Sequence, residues 1–422
     1  MCICFWLPGW LLADIPNING ITKSGLNLSF SNVHIPHPQQ FIKQLQAPCQ
    51  NVNTTANHIG DYCAVWQLLT DSVVNQAANM TYQLKVNYSA DDAHLQLSLQ
   101  SLANQSDQVY LHIGLNQVTP LALLPLISGL NDTEYVQIPV ASLNDAEIAT
   151  IQADIQLQST LPFKQLARYA PLYRNAENKL DSQAYPLALD LKLNYANVDQ
   201  KLYFSAQSLS ENKGALGIEF EGLVDQPLTI GKLASINKKI QSAQTVSQAM
   251  QQLDINMIPS YVGIKLSQQN LFYDVVSLML NHADTYTLKA LTLPLIQKQQ
   301  QLAENSQVEI AQNFHGSMAT FFERPVSFRM VMTPQGESMQ HLWEAWHQAL
   351  DVLQLEQALI QNTFKLKAAN TLQAKKDIQR KLNRIYFEQQ SVEEKTLALL
   401  DTYFRMDFFV NGQPFEYLKN GS

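Results

Sequence analysis

The chain has 422 residues, of which 46% are hydrophobic and 15% are charged. This length is enough for two or three domains with a sizeable core, and the composition excludes the collagen, coiled-coil and disordered classes. The charged fraction is lower than the roughly 25% of average soluble proteins. Amide side chains take the place of charged ones, since the sequence contains 46 Gln and 30 Asn. The net charge of −8 provides no overall basic field, so we expect no nucleic-acid partner.

The first 13 residues are almost wholly apolar and are followed at once by Asp14 and Pro16. A bilayer span needs about 20 apolar residues, and a signal peptide needs a basic start and a small-residue cleavage site. Two interpretations of residues 1–20 therefore stay open. They are either the outer end of a membrane anchor, with Trp6 and Trp10 at the interface, or a segment that packs on the protein's own core.

Cys49 and Cys63 are the informative cysteines. Their C-x13-C spacing differs from the paired C-x2-C of zinc ribbons, and no His follows Cys63 before His94, which argues against a metal site. They form either a disulfide that closes roughly 15 residues and stabilises by about 3 kcal/mol, or two separately buried thiols. A disulfide would indicate an oxidising compartment, which the weakly charged, amide-rich composition also suits.

Period-2 alternation dominates residues 80–270 and predicts strands with one apolar face. The runs 82–88, 95–99 and 109–115 indicate an antiparallel meander with one face in water. Further runs predict strands at residues 151–157, 187–195, 202–206 and 216–222, with short helices at 120–129 and 232–251.

Residues 337–411 contain neither Gly nor Pro, which favours helix. The apolar spacing predicts a helix after Ser338, a second at 372–387, and a third from Ser391 to Thr402 with Glu394 completing a capping box. Alternating apolar residues again predict a strand at 404–410, and Asn411-Gly412 is a strong hairpin signal.

The order strand, proline, apolar helix occurs twice, at residues 109–129 and 326–346, which suggests an internal duplication. We predict an α+β fold in which antiparallel sheet units form meanders with amphipathic helices packed over one face. The predicted divisions are the N-terminal segment 1–20, a β-rich unit 21–175 with a helix at 57–78, a second β-rich unit 176–335, and a helical segment 336–422 that ends in a strand and hairpin.

Two sequence blocks resemble a known family. FERPVSFRMVMTPQGESMQHLWEAW (322–346) and MDFFVNGQPF (406–415) are similar to the strand-then-helix units and the closing strand of YdgA-type proteins, grouped with AsmA-like envelope proteins of Gram-negative bacteria. The resemblance implies an inner-membrane anchor and a periplasmic, β-rich body without known catalytic residues. The expected location is therefore the periplasm, with attachment to the membrane through residues 1–13.

No nucleophile, nucleotide-loop or metal motif is present, so we predict no catalytic residue, cofactor or metal ligand. His34 and His37 flank Pro36 and lack further ligands, and His341 and His347 lie six residues apart on different helix faces. The basic run from Lys365 to Arg384 is interpreted either as a contact for anionic headgroups or an acidic partner, or as the solvated face of a helix.

The aromatic residues near the second strand–helix block provide the candidate binding site. Phe328 and Met330 on the strand, with Trp343 and Trp346 on the helix, would form an apolar groove, although a helix that simply covers a sheet explains the same residues. The first functional hypothesis is therefore binding of a lipid or another apolar ligand. The alternatives are a structural or assembly protein whose exposed strand edges bind envelope partners, and a hydrolase whose site is not visible in the sequence.

Overall fold

A computed structural model describes residues 10–13, 17–22, 25–35, 71, 75–89, 93–102, 107–123, 136–139, 143–162, 184–210, 214–242, 257–267, 285–335 and 369–417, together with 348, 355, 358–359, 362 and 365–366. The first eight strands are β1 (Trp10–Ala13), β2 (Asn17–Thr22), β3 (Gly25–Val33), β4 (Tyr82–Ser89), β5 (His94–Ser101), β6 (Gln108–Asn116), β7 (Val136–Pro139) and β8 (Glu147–Pro162). The others are β9 (Ala184–Ala196), β10 (Lys201–Ser210), β11 (Gly214–Val224), β12 (Met257–Ser267), β13 (Ser327–Pro334), β14 (Phe404–Val410) and β15 (Gln413–Phe415).

Five α-helices are described, along with a 3-10 turn at Pro120–Leu123. They are α1 (Asn75–Ala78), α2 (Ile230–Ser242), α3 (Thr285–Asn305), α4 (Glu309–Glu323) and α5 (Leu372–Tyr403).

Thirteen of the described strands form one antiparallel sheet in the order β15 to β8, then β6 to β2. From β2 to β15, strands that follow one another in the chain are neighbours, except that β7 leaves the meander and pairs with β1. The predicted antiparallel sheet with helices is therefore confirmed, and strands of both predicted β-rich units belong to it. The boundary at residue 175 lies between β8 and β9, outside the described ranges, and the internal duplication stays a prediction.

The alternation in residues 80–115 places apolar side chains on one face, as predicted. Leu84 lies opposite Leu99, which lies opposite Leu111, and all three are buried. Lys85 and Gln96, one position away, are exposed. Directly opposed apolar residues continue in this way across eleven strands. They are Phe30, Leu84, Leu99, Leu111, Ala153, Leu193, Phe204, Phe220, Val262, Met332 and Met406.

Two core clusters cover parts of this apolar face. The larger one extends across the strands from β3 to β14, apart from β7, and includes Leu233 and Ile236 of α2. The smaller one lies at β13 and β14, where α4 places the Phe321 ring 5.8 Å from the ring of Phe328. Met330 and Met406 are half-buried and contact both clusters.

The C-terminal helix is one element where the sequence predicts two. Helix α5 runs from Leu372 to Tyr403, and its N-cap is Thr371, whose hydroxyl oxygen accepts from the N–H of Ala374 at 3.2 Å. The predicted start at Ser391 is wrong, because this residue lies inside the helix. Glu388, Gln389 and Gln390 are good helix formers, and a serine caps a helix only where the chain before it leaves the helical conformation.

Several predictions concern residues that are not described. Cys49 and Cys63 lie outside the described residues, as do most of the helix predicted at 57–78 and the segment 336–347 that contains Trp343 and Trp346. Within the first 13 residues, the strand Trp10–Ala13 pairs with Val136–Pro139. No helix in the described part of the chain is long and apolar enough to span a membrane.

Candidate functional site

One row of apolar side chains crosses the sheet without being buried. It consists of directly opposed residues on the six neighbouring strands β8 to β13, namely Ile155, Leu191, Ala206, Ile218, Ile264 and Met330. Five of the six are half-buried, and Ile218 near the middle is 41% exposed. We call this set the open row.

The rows on both sides of the open row contain buried residues, although Leu193 and Phe204 beside it are half-buried like most of the open row. Phe220 and Val262, two residues from Ile218 and Ile264 on the same strands, are buried in the larger core cluster. On the other side of the row, Phe328 is buried beneath α4 in the smaller cluster. The open row therefore lies between buried residues of the two clusters, and its members Ile155, Ile264 and Met330 pack against the larger one.

The size and chemistry of the open row define what it can hold. Neighbouring strands lie about 4.8 Å apart, so five steps from β8 to β13 give a length of about 24 Å. All six side chains are aliphatic or thioether groups, and the backbone polar groups beneath them are paired within the ladder. The open row offers neither a charge nor a side-chain hydrogen bond, so it suits an extended apolar ligand.

The structure places two of the four predicted groove residues on this face. Met330 is a member of the open row, whereas Phe328 is almost fully covered by α4. Trp343 and Trp346 lie outside the described ranges, so the four-residue groove stays a prediction. The other members of the open row were missed as a site, because alternation assigns each side chain a face but does not show which strands become neighbours.

Charged residues lie directly behind the open row on the opposite face of the sheet. Glu219 follows Ile218, Lys265 follows Ile264, and Arg329 precedes Met330. The Glu219 carboxylate accepts hydrogen bonds from Lys265 and, at 2.6 Å, from the hydroxyl of Tyr261. Arg329 donates to the same hydroxyl, and its Nη2 lies 3.6 Å from Oε2 of Glu219. We call Glu219, Tyr261, Lys265 and Arg329 the Glu219 cluster.

The Glu219 cluster is a fixed ion network. Burial raises the pKa of Glu219, but hydrogen bonds from Lys265 and Tyr261 and the charges of Lys265 and Arg329 outweigh it and hold that pKa below its ordinary value. Burial and the hydrogen bond to Glu219 raise the pKa of Tyr261. The carboxylate is therefore ionised and the phenol protonated at neutral pH, which makes Tyr261 a hydrogen-bond donor and not a base.

A second polar group is buried between α3, α4 and α5. His315 of α4 is 3% exposed, and its Nδ1 lies 2.6 Å from Oε1 of Gln299. Because an amide oxygen only accepts, Nδ1 carries the proton. Nε2 lies 4.0 Å from a carboxylate oxygen of Glu393. Burial, and then the charge of Lys298, lower the pKa of His315 to about 4, so the imidazole is neutral at pH 7.

These features give no sign of catalytic or metal chemistry in the described residues. The Nδ1 of His315 bonds an amide, whereas a base in a triad needs a nucleophile on one nitrogen and an orienting carboxylate on the other. No three His, Cys, Asp or Glu side chains in the described ranges are grouped so that they could hold a metal ion. The open row is thus the best candidate site.

Comparison with known proteins adds no assignment. No family model, no curated protein and no solved structure matches this chain.

Proposed function

We propose that this protein binds the acyl chain of a lipid along the open row. The supporting observation is the continuous apolar strip over six strands, with Ile218 41% exposed near its middle. Apolar surface in water costs about 25 cal/mol per Å², and continuous exposed apolar surface is characteristic of binding sites. A bound acyl chain would remove this surface from water.

The length and polarity of the strip favour an acyl chain over a polar ligand. A bilayer core about 30 Å thick holds two acyl chains end to end, so each spans about 15 Å. The open row, at about 24 Å, is long enough for one such chain. A polar or ionic molecule would lose hydration there without gaining a partner, and the row contains no acid, base or nucleophile. The proposed activity is therefore binding, without catalysis.

The proposed location is the periplasm, with attachment to the inner membrane. It rests on the sequence: the weakly charged, amide-rich composition, the Cys49 and Cys63 pair, the apolar residues 1–13, and the resemblance to YdgA-type envelope proteins. A lipid-binding protein in that compartment would meet its ligand at the membrane surface.

The edges of the sheet favour this proposal over assembly through added strands. Strand β15 at one edge has only three residues, and Pro414 at its centre has no N–H to donate. Strand β2 at the other edge has six residues, and its pairing with β3 is irregular between Ile18 and Ile21. Very short edge strands, edge prolines and irregular pairing are features that prevent edge-to-edge pairing.

A matched pair of substitutions on β11 tests the proposal. Ile218 is in the open row, whereas Leu223 lies on the opposite face of the same strand and is 38% exposed. We expect Ile218→Asp to weaken binding of the fluorescent fatty acid cis-parinaric acid at least tenfold, with displacement of the probe from the wild-type protein by palmitate. Leu223→Asp introduces the same charge and the same loss of strand propensity, and should bind as the wild type does. No binding by the wild type, or equal loss in both variants, would contradict the proposal.

A further inference from the structure

The first half of α5 is unusually exposed for a helix of a folded protein. Between Leu372 and Phe387 only Ile385 is buried. The half-buried residues Ala374, Ile378 and Leu382 lie on the same side of the helix as Ile385. This side faces the protein, so the remaining circumference faces outward.

Cations and an aromatic residue form one line on the outward side. Lys376, Arg380 and Arg384 are spaced four residues apart, and Phe387 follows three residues later. At 3.6 residues per turn these four side chains project in similar directions. All four are exposed, and Phe387 is 69% exposed. Like charges at this spacing repel each other, so an anionic partner would relieve an unfavourable arrangement.

The local charge is opposite to that of the whole chain. From Leu372 to Phe387, five cations (Lys375, Lys376, Arg380, Lys381 and Arg384) face one anion, Asp377, which gives 5 − 1 = +4 in a protein of net charge −8. Among these described side chains, the only ion pair joins Asp377 to Arg380 at 3.7 Å. The outward side of this helix therefore has a concentrated positive field.

Large apolar side chains flank the cations. Leu372 is 71% exposed at the start of the stretch, and Phe387 is exposed at its end. Fifteen residues at 1.5 Å each separate them by about 22 Å along the helix. A helix that lies in a bilayer interface places cations at the phosphates and apolar side chains at the acyl boundary. A polyanion such as nucleic acid or an acidic protein needs only the cations.

We propose that the outward side of Leu372–Phe387 docks the protein on an anionic phospholipid bilayer. Lys376, Arg380 and Arg384 bind the lipid phosphates, and Phe387 enters the boundary between headgroups and acyl chains. This proposal goes beyond acyl-chain binding on the open row and does not depend on it, because the two sites share no residue.

Vesicle flotation of the full chain tests the docking surface. We expect the wild type to float with phosphatidylcholine vesicles that contain 30% phosphatidylglycerol, and to float much less with phosphatidylcholine alone or in 0.5 M salt. The triple variant Lys376→Gln, Arg380→Gln, Arg384→Gln should bind the anionic vesicles about a hundredfold more weakly, from the typical contribution of each cation near a membrane. Phe387→Ala should weaken binding about tenfold.

A control variant removes the same charge elsewhere. Lys85→Gln, Lys201→Gln, Arg324→Gln changes three exposed cations outside α5, so it has the same net charge as the first triple variant. It should float as the wild type does. Equal weakening in both triple variants, or no flotation of the wild type with anionic vesicles, would overturn the proposal.

Two more comparisons distinguish membrane docking from polyanion binding and from acyl-chain binding. Tight binding of soluble polyglutamate, combined with unchanged flotation of Phe387→Ala, would indicate a polyanion site and overturn the proposal. Ile218→Asp should lose fatty-acid binding and still float, so failure of the acyl-chain proposal can be distinguished from failure of membrane docking. Circular dichroism melting should show that the exposed substitutions leave the fold intact.

Discussion

Gly263 lies directly opposite Glu219 in the neighbouring strand, and the absence of a side chain at this position makes room for the Glu219 cluster. A Cβ on residue 263 would lie 2.6 Å from the hydroxyl oxygen of Tyr261 and 3.4 Å from Oε2 of Glu219. Tyr261 lies two residues before Gly263 on the same strand. Its side chain can therefore extend across Gly263 and donate its hydrogen bond to the carboxylate of Glu219.

A mutant cycle tests this relationship. Gly263→Ala should displace the Tyr261 hydroxyl and remove its hydrogen bond to Glu219, while in Tyr261→Phe that hydroxyl is already absent. We expect Gly263→Ala to be more destabilising in the wild type than in the Tyr261→Phe background, with a coupling of about 1 kcal/mol. Urea unfolding of the four proteins measures this coupling, and simple additivity would contradict the steric argument.

His315 should make the stability depend on pH in the mildly acidic range. Burial, followed by the charge of Lys298, lowers the pKa of this imidazole from 6.5 to about 4. Between these values the unfolded chain binds more protons than the folded protein, so the free energy of unfolding falls as the pH falls. The stabilising contribution is fully present above pH 6.5 and is lost by about pH 4, for a total of about 3 kcal/mol.

Urea unfolding between pH 7.5 and 4 measures this effect. His315→Gln should remove about 3 kcal/mol of the difference in stability between the two ends of this range. His94→Gln, which changes an exposed residue on β5, should keep the wild-type dependence because His315 is intact. The same pH profile in wild type and His315→Gln would show that other groups cause the acid sensitivity.

Phe328 should contribute strongly to stability through its contact with α4. Its ring is buried and lies 5.8 Å from the ring of Phe321, so Phe328→Ala should lower the free energy of unfolding by about 3 to 5 kcal/mol. Val326→Ala is the control, since this exposed residue should cost about 0.5 kcal/mol or less. Thermal or urea unfolding distinguishes the two, and a small loss in Phe328→Ala would show that α4 does not cover the residue in solution.

The final hairpin provides a test of backbone strain alone. Asn411 and Gly412 both have positive φ, at 54° and 81°, and a Cβ on Gly412 would meet nothing within 4 Å. Gly412→Ala should therefore cost about 1 kcal/mol through its backbone conformation without any steric clash. Gln413→Ala, at the next exposed position, should be close to neutral in the same unfolding experiment.

Patterns among residues that are close in the sequence were sufficient to predict much of the secondary structure. Alternation predicted the strands of residues 82–115, and the Asn411-Gly412 pair predicted the turn between β14 and β15 that the register of Val410 with Gln413 confirms. The same reasoning failed at Ser391, because a capping residue acts as a cap only where the preceding chain is not helical.

The sequence by itself determined where the alternating strands and the final turn form, which face of those strands is apolar, and the basic character of residues 372–387. All three features depend on residues that are close together in the chain. The tertiary structure decided which strands are neighbours, and with that it brought Ile155 and Met330 into one row and Lys265 to Glu219, 46 residues away. It also decided which apolar residues α2 and α4 bury and which they leave open. Periodicity fixes the direction of a side chain relative to its own strand, whereas burial depends on the packing of segments that are distant in the sequence.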